Sequence, residues 1–520
     1  MLVTIVSFCR STLLPVLTGL LLWISFPGGG EIWPLLFVAL VPFLYVIAGI
    51  GARSAFFAGI FCGLVHFILL LYWIVIVLGK YGGLPWFISV PALLLLALYM
   101  SLYFGLFALL SRYVLLSFPA AVALWLLPAL WVGLDWFRGE FLTGFPWMDL
   151  GYALYKVPHL VQIADIIGHH GITFLVVFFN TFLVLLLTKK KSHPGSLLVF
   201  VPAFCLFLGA GMYSMYRYED VKQTIEAADA PRINVGIVQG NIDQSEKWSP
   251  ENQQKTIDGY ISQTERLFDP GDPALVVWPE TALPFYPISS SYMSSIRELV
   301  GANDFALLTG APWYEIIDRD RKDIKFYNST LLLQPDGLYG GKYYKTHLVP
   351  FGEYIPLKKF LPFLAPLVEA VGDFSFGKIE QPLIWQEAKT GILICFESVF
   401  PELSRQWVFA GANVLVNLTN DAWYGRSSAP QHSLAMSVLR AVETRRSLIR
   451  SANTGISAFV TPLGTITAQS GLFVPWEGSA QVILCQELTI WARYGYLFAP
   501  ICLIAGLLGG LAAGIKRRWI

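Results

Sequence analysis

Two short apolar runs of this sequence, and one segment between them, end on or carry side chains capable of covalent chemistry. LVVWPE stops at Glu280, GILIC stops at Cys395, and the intervening GGKYYKTHLVPFGEYIP carries Lys345 and Glu353. A thiol attacks only as its thiolate, and with an ordinary pKa near about 8.5 it needs a base or a positive neighbour. A carboxylate can take the thiol proton, and a fixed ammonium can stabilise the oxyanion that forms at an attacked carbonyl. The set therefore suits acyl transfer through a thioester. Each residue alone also has an ordinary reading: a surface carboxylate, a solvated lysine, a buried thiol. Cys395 and Cys485 could equally form a disulfide in an oxidising compartment. Cys485, inside SAQVILCQEL, reads as a small buried hydrophobe.

The elements that must position these groups are legible around them. From Arg232 onward, INVGIVQG, ALVVWPE, FALLTGAP, STLLLQP, GILICFES, ANVLVNLTND, SLIRSANTGISAFV and SAQVIL alternate with helical stretches such as Gln253 to Leu267 and Ser433 to Arg446. Apolar runs of this length, bounded by Gly, Pro or Asn, predict the buried strands of an α/β domain. Catalytic groups of such domains gather at strand ends.

The 520 residues are 55% hydrophobic and only 14% charged, with mean hydropathy +0.58. Soluble domains carry about 25% charged residues, so a wholly cytosolic globular enzyme is excluded. Net charge +1 argues against a dedicated nucleic-acid surface, which needs many Lys and Arg gathered on one face. The charge deficit sits in residues 1–213, which hold nine basic and five acidic groups. Eight apolar stretches approach the roughly 20 residues a bilayer needs: 11–27, 33–50, 54–79, 84–111, 116–137, 168–188, 195–214 and 495–515. The expected organisation is a membrane domain over 1–214 with seven spans, a catalytic domain over 215–493, and a last span with a basic tail over 494–520. With both termini in the cytoplasm, Arg53, Arg112, Lys189-Lys190-Lys191 and Lys516-Arg517-Arg518 all fall inside, as the positive-inside rule requires. The catalytic domain is then expected on the far side. The outer loop, 138–167, is rich in aromatics and serves either as an interfacial connector or as a substrate contact. His169 and His170 follow it, but neighbouring helical residues point apart and no Cys or carboxylate lies at zinc spacing, so no metal is expected.

VVWPETALPF, KYYKTHLVPFGEYIP and LICFES, in that order, resemble the Glu, Lys and Cys motifs of the nitrilase superfamily. HLVPFGEYIP, VQGNIDQSEKW, NLTNDAWYG and RAVETRRSLIRSANTGISAF are similar to one branch, the apolipoprotein N-acyltransferases of Gram-negative envelopes. SFPGGGEIWPLLFVALVPFL, Leu71 to Trp73 and GFPWMDLGYAL resemble that family's membrane part, so the likeness covers nearly the whole chain. Met148-Asp149 departs from the family's wording and leaves the role of that loop open.

The resemblance implies a polytopic α-helical membrane domain of about eight spans plus a nitrilase-like αββα sandwich. It assigns Cys395 as nucleophile, Glu280 as general base, Lys345 as oxyanion stabiliser and Glu353 as a supporting group. It gives His347, close to Lys345, no part as the base. Trp248 and Trp423 are expected either to contact substrate or to serve as membrane-interface anchors, and Phe396 and Glu397 to contact substrate, Glu397 sharing a strand face with Cys395 if the strand continues. The implied reaction moves an sn-1 acyl chain from a phospholipid, phosphatidylethanolamine by resemblance, to the α-amine of a diacylated apolipoprotein. The implied setting is the bacterial inner membrane, with a periplasmic catalytic domain, a monomer and no cofactor. The alternative is a membrane-tethered amidase that uses water as acceptor. The apolar run within 351–376 either dips towards the bilayer as a lid, in which case its deletion should abolish lipid turnover while sparing thiol reactivity, or packs in the soluble core.

Overall fold

The computed structural model describes residues 2–188, 197–268, 272–318, 320, 323–354 and 374–518. The expected lid falls largely on 355–373, outside the described residues. The chain forms two compact units, one of Met1–Tyr218, Ser427–Ala435 and Arg493–Ile520, the other of Glu219–Arg426 and Met436–Ala492.

Among the described residues of the first unit, five helices are long and apolar enough to cross a membrane: Ala52–Leu70, Trp86–Ser117, Ala120–Glu140, Ala164–Thr188 and Gly495–Lys516. Two shorter apolar helices cover Thr12–Ser25 and Trp33–Gly49, and Leu197–Glu226 is a further long helix. These regions coincide with the eight apolar stretches, and the chain is a multi-pass membrane protein. Lipid offers no hydrophobic drive between helices, so association rests on close packing. Gly59 and Gly63 supply it: a Cβ there would lie 2.4 Å from Phe104 O and 2.9 Å from Ser101 Cα. The third stretch is not one helix. It breaks after Leu70 and resumes as Trp73–Ile76 and a wide turn, Val77–Tyr81. The break places the Tyr72 hydroxyl 3.2 Å from Ser428 N, whose N–H it accepts. A second break, at Leu40 before Pro42, leaves backbone groups that Asn180 satisfies. Its Oδ1 accepts from Leu40 N at 2.9 Å, and its Nδ2 donates to Leu36 O at 3.0 Å.

The second unit is built on strands β1 (Arg232–Gln239), β2 (Leu275–Val277), β3 (Ala306–Asp318), β4 (Asp323–Leu333), β5 (Tyr339–Tyr344), β6 (Leu383–Trp385), β7 (Ala388–Ile394), β8 (Val414–Thr419), β9 (Ser447–Ala452), β10 (Ala458–Val460), β11 (Ile466–Gln469) and β12 (Trp476–Ile483). They form two six-stranded sheets, ordered β12-β1-β2-β3-β4-β5 and β11-β10-β9-β8-β7-β6. The Ser451 hydroxyl donates across to Val238 O and Val277 O at 3.4 and 3.2 Å, tying the sheets face to face. Helices Pro250–Glu265 and Met293–Ala302 bury Ile257, Tyr260, Ile296 and Val300 against the outer face of the first sheet. On the second sheet, Trp407 of helix Pro401–Phe409 donates its indole N–H to Ile392 O at 2.6 Å. Helix, sheet, sheet, helix is the expected αββα sandwich. The central strands β1, β2, β3 and β7, β8, β9 run parallel within their sheets, and covering on both faces explains their unbroken apolar wording.

Candidate active site

Glu280, Lys345 and Cys395 each stand just beyond a strand, and pairing between strands decides which groups meet. After β2 the chain turns at Pro279-Glu280, with Thr281 at φ +47°. β5 is antiparallel to β4 with Tyr344 opposite Ser329, so Lys345 emerges beside Asn328 and its N–H bonds Asn328 O at 2.9 Å. That hairpin joins the motif lysine to a residue lying one position before the strand expected at STLLLQP. The Asn328 amide nitrogen then donates to Glu280 Oε1 at 2.8 Å and to Glu353 Oε1 at 2.9 Å, bridging two carboxylates. Lys345 Nζ lies 3.0 and 2.8 Å from the two Glu353 oxygens and 3.9 Å from Glu280 Oε1, at 1% side-chain exposure. Glu353 Oε2 also accepts from Val349 N at 2.8 Å, and Glu280 Oε2 from Asn420 N at 2.8 Å. Glu280, Lys345 and Glu353 thus form one buried cluster, and Asn328 completes it.

Cys395 follows β7, which lies parallel to β8 with Ile394 beside Leu418. The strand does not continue through it. Cys395 takes φ +53° and opens the short turn Cys395–Val399. A non-glycine residue held in the left-handed region costs on the order of 1–3 kcal/mol, a strain typical of a presented nucleophile. Glu397 consequently does not share a strand face with the thiol. Its Oε1 accepts from Tyr343 OH, Thr346 N and His347 N at 2.8, 2.6 and 3.0 Å, and its Oε2 accepts from Ile394 N at 2.7 Å. Those four bonds use the carboxylate to lock the elbow to the lysine loop. Phe396 packs with Phe400 and His347 at centroid distances of 5.1 and 6.0 Å. Trp423 is half-buried in the turn Asp421–Tyr424, and Trp248 is 48% exposed beside buried Lys247. Lys247, which sequence reasoning passed over, donates to Thr281 Oγ1 at 2.7 Å and Glu280 O at 3.3 Å, propping the base-bearing turn. Asp421 is held by Arg450 at 2.8 Å, whereas Arg440 pairs with Glu443 at 3.1 Å.

The electrostatics assign resting states. Burial, and next the Glu280 charge, push the Cys395 thiol up to about 12, with Lys345 opposing. At neutral pH it is a thiol that must lose its proton during attack. Burial works against the Lys345 charge, but Glu353 and then Glu280 outweigh it and hold the ammonium above its ordinary value. The site is a charged lysine clamped by Glu353, with the Glu280 and Lys345 charges acting in opposite directions on the Cys395 thiol. Cys395 and Cys485 are both free thiols, not a disulfide.

Family comparison matches the same architecture. Residues 18–182 match the apolipoprotein N-acyltransferase N-terminal domain, and residues 234–475 match the carbon-nitrogen hydrolase domain. An apolipoprotein N-acyltransferase of Geobacter metallireducens is 39% identical, over 98% of this chain and 96% of that protein. Its namesakes in Vibrio parahaemolyticus and Chlorobaculum tepidum are 32% and 30% identical, covering 84% and 97% of this chain and 85% and 97% of their own lengths. The chain belongs to the apolipoprotein N-acyltransferase family.

In this apolipoprotein N-acyltransferase family member the elbow lock has a measurable consequence. Burial, partly offset by the bonds from Ile394, His347 and Tyr343, raises the Glu397 carboxyl from 4.5 to about 7. A folded-state value above the unfolded one means that its contribution is complete below the unfolded value and is lost as pH rises through about 7. Glu397→Gln is expected to flatten that decline when the thermal midpoint is followed from acid to neutral pH. It should also destabilise by about 1–3 kcal/mol, because an amide cannot accept from all four donors. A slope identical to wild type would refute the assignment.

Proposed function

We propose that this protein transfers one fatty acyl chain from the sn-1 position of a phospholipid to the α-amino group of the diacylglyceryl-cysteine that begins an apolipoprotein. The observation that carries this reading is the buried cluster of Glu280 and the Glu353-clamped Lys345, whose charges act on the Cys395 thiol, in a chain whose near full-length relatives bear the apolipoprotein N-acyltransferase name.

In the first half-reaction Cys395 Sγ attacks the ester carbonyl as Glu280 takes the thiol proton. An ammonium has three N–H bonds; Glu353 engages the Lys345 Nζ on one side, leaving donor capacity for the oxyanion. Collapse breaks the ester C–O bond, Glu280 returns the proton to the glycerol oxygen, and lysophospholipid leaves. In the second half-reaction a neutral α-amine attacks the thioester. Its excess proton passes to Glu280 and then to the departing sulfur, which regenerates the thiol. Asn328 bonds to both carboxylates and keeps Glu280 aimed while its charge changes. No cofactor enters the balance.

Eight apolar helical regions make sense for a donor whose acyl chains stay in lipid, and none for a small water-soluble amide. The distribution of Lys and Arg supports an inner-membrane protein with both termini cytoplasmic and 215–493 in the periplasm. Phosphatidylethanolamine is the proposed donor and a monomer the proposed state. Trp248 and Trp423 are proposed to line the substrate path, since they adjoin Lys247 and Asp421. The rival is hydrolysis, with water resolving the thioester.

The acceptor decides between the two. With a phospholipid carrying a labelled sn-1 chain in detergent micelles, label is expected to move onto a diacylglyceryl-cysteine peptide with a free amine, and not onto its N-acetylated twin. Release of free fatty acid at a rate indifferent to either peptide would replace transfer by hydrolysis.

A further inference from the structure

We propose a divalent transition-metal site, of the zinc(II) class, in the membrane unit at Asp149, His169 and His170. The two histidines were expected to point apart. Instead, helix Ala164–Thr188 is interrupted at Ile167 and at Gly168, whose φ of +69° and ψ of −177° no ordinary helix contains. That kink restarts the helix at the histidines and lays the imidazoles together, with centroids 3.9 Å apart. The carboxylate that sequence spacing did not offer comes from Asp149 in the loop after helix Ala120–Glu140. It is the same residue that departs from the family's wording.

The geometry is that of ligands around one centre. His169 Nε2 and His170 Nε2 lie 3.0 and 3.6 Å from the same oxygen, Asp149 Oδ2. The three ligand atoms all fall within 4.8 Å of one another. A tetrahedral ion with bonds of about 2.0–2.1 Å needs ligand atoms roughly 3.3–3.4 Å apart, so modest shifts close the site. Two imidazoles with one carboxylate favour zinc-class ions over magnesium or calcium, which take oxygen sets. Three protein ligands leave a fourth position for water or another oxygen donor.

The surroundings are those of an oriented site. Arg138 NH2 bonds the other oxygen, Asp149 Oδ1, and lies 3.4 Å from Asp135 Oδ1. It thereby pins the carboxylate and leaves Oδ2 for the ion. Tyr152 stacks on His169 at 4.4 Å and 17°. Two aspartates against one arginine leave a negative excess, in a pocket where Asp149 and His169 side chains are each 1% exposed. His170, at 14%, opens it to exchange. An ion there would staple the outer loop to the start of the span, next to where lipid headgroups lie if the loop faces outward.

The test uses full-length protein in detergent, purified without a histidine tag, in a Cys395→Ala background that removes a competing thiol. After chelator treatment and equilibration with zinc chloride, wild-type ligands are expected to retain one equivalent by elemental analysis and to raise the thermal midpoint. His170→Ala, at the most exposed of the three, should fold and lose affinity by at least about 100-fold, since even outer-shell partners are worth 10–100-fold. Cobalt(II) in place of zinc should give visible d–d absorption with the wild-type ligands alone. Sub-stoichiometric metal, or equal retention in His170→Ala, would overturn the site and leave a hydrogen-bonded Asp–His cluster.

Discussion

Incubated with phospholipid and no acceptor, the wild-type protein is expected to gain the mass of one fatty acyl chain, removable by hydroxylamine. Cys395→Ala is expected to gain none. The size of the contrast follows from the site. Among the described free cysteines, Cys62 and Cys502 are buried, Cys205 is exposed on helix Leu197–Glu226, and Cys485 is held above its ordinary value chiefly by burial, with Arg446, Arg445 and Glu487 rather than a glutamate–lysine pair acting on it. Only Cys395 stands at a strained turn with Glu280 and Lys345 acting on its charge. The mutation removes the bond-forming atom, so the loss should be complete, whereas removing a positioning group would leave slow turnover. Adduct persisting in Cys395→Ala would move the nucleophile elsewhere. Fatty acid released by the variant would mean direct attack of water, with no acyl-enzyme.

Much of this arrangement was legible in the sequence because its signals are local. The order of Glu280, Lys345 and Cys395 with their flanking words, and the apolar runs behind them, are properties of short windows. So are the spans, whose apolar length does not depend on what packs against them. What was not legible depends on contacts between windows or on single dihedral angles. Asn328 reaches the cluster because β4 and β5 pair in one register, and β5, with its Gly340-Gly341, carries no apolar run to announce a strand. Glu397 was placed on the thiol's face by the two-residue period of a strand, and φ of +53° at Cys395 ends that period one residue early. The Asp149–His169–His170 group was missed for the same reason. Gly168 sets the direction of both rings, and Asp149 arrives from another element. Function sits where regular periodicity breaks, which is where a pattern-based reading is weakest.

Glu280→Gln should drive two reactivities of the same sulfur in opposite directions. The acyl-enzyme is expected to form about 10²–10⁴-fold more slowly, the usual worth of a positioned general base. Gln keeps the shape and can still accept from Asn328 through its oxygen, so folding should survive. Meanwhile, after burial, the Glu280 charge is the next largest influence raising the Cys395 thiol to about 12, and Lys345 is the larger of the two influences lowering it, ahead of the Thr419 hydrogen bond. Removing the first and keeping the second makes the thiolate easier to form. Below its pKa, each unit of fall multiplies the thiolate about tenfold. Alkylation by iodoacetamide between neutral and alkaline pH should therefore quicken in Glu280→Gln, with its half-rise at lower pH, while lipid turnover nearly stops. Alkylation falling together with acylation would mean that Glu280 already holds the proton in the resting enzyme, as a thiolate–acid pair. A parallel Lys345→Met variant fixes the sign. Without the ammonium, alkylation should slow and shift to higher pH, so that the two variants bracket the wild type if the cluster sets the thiol as its geometry requires.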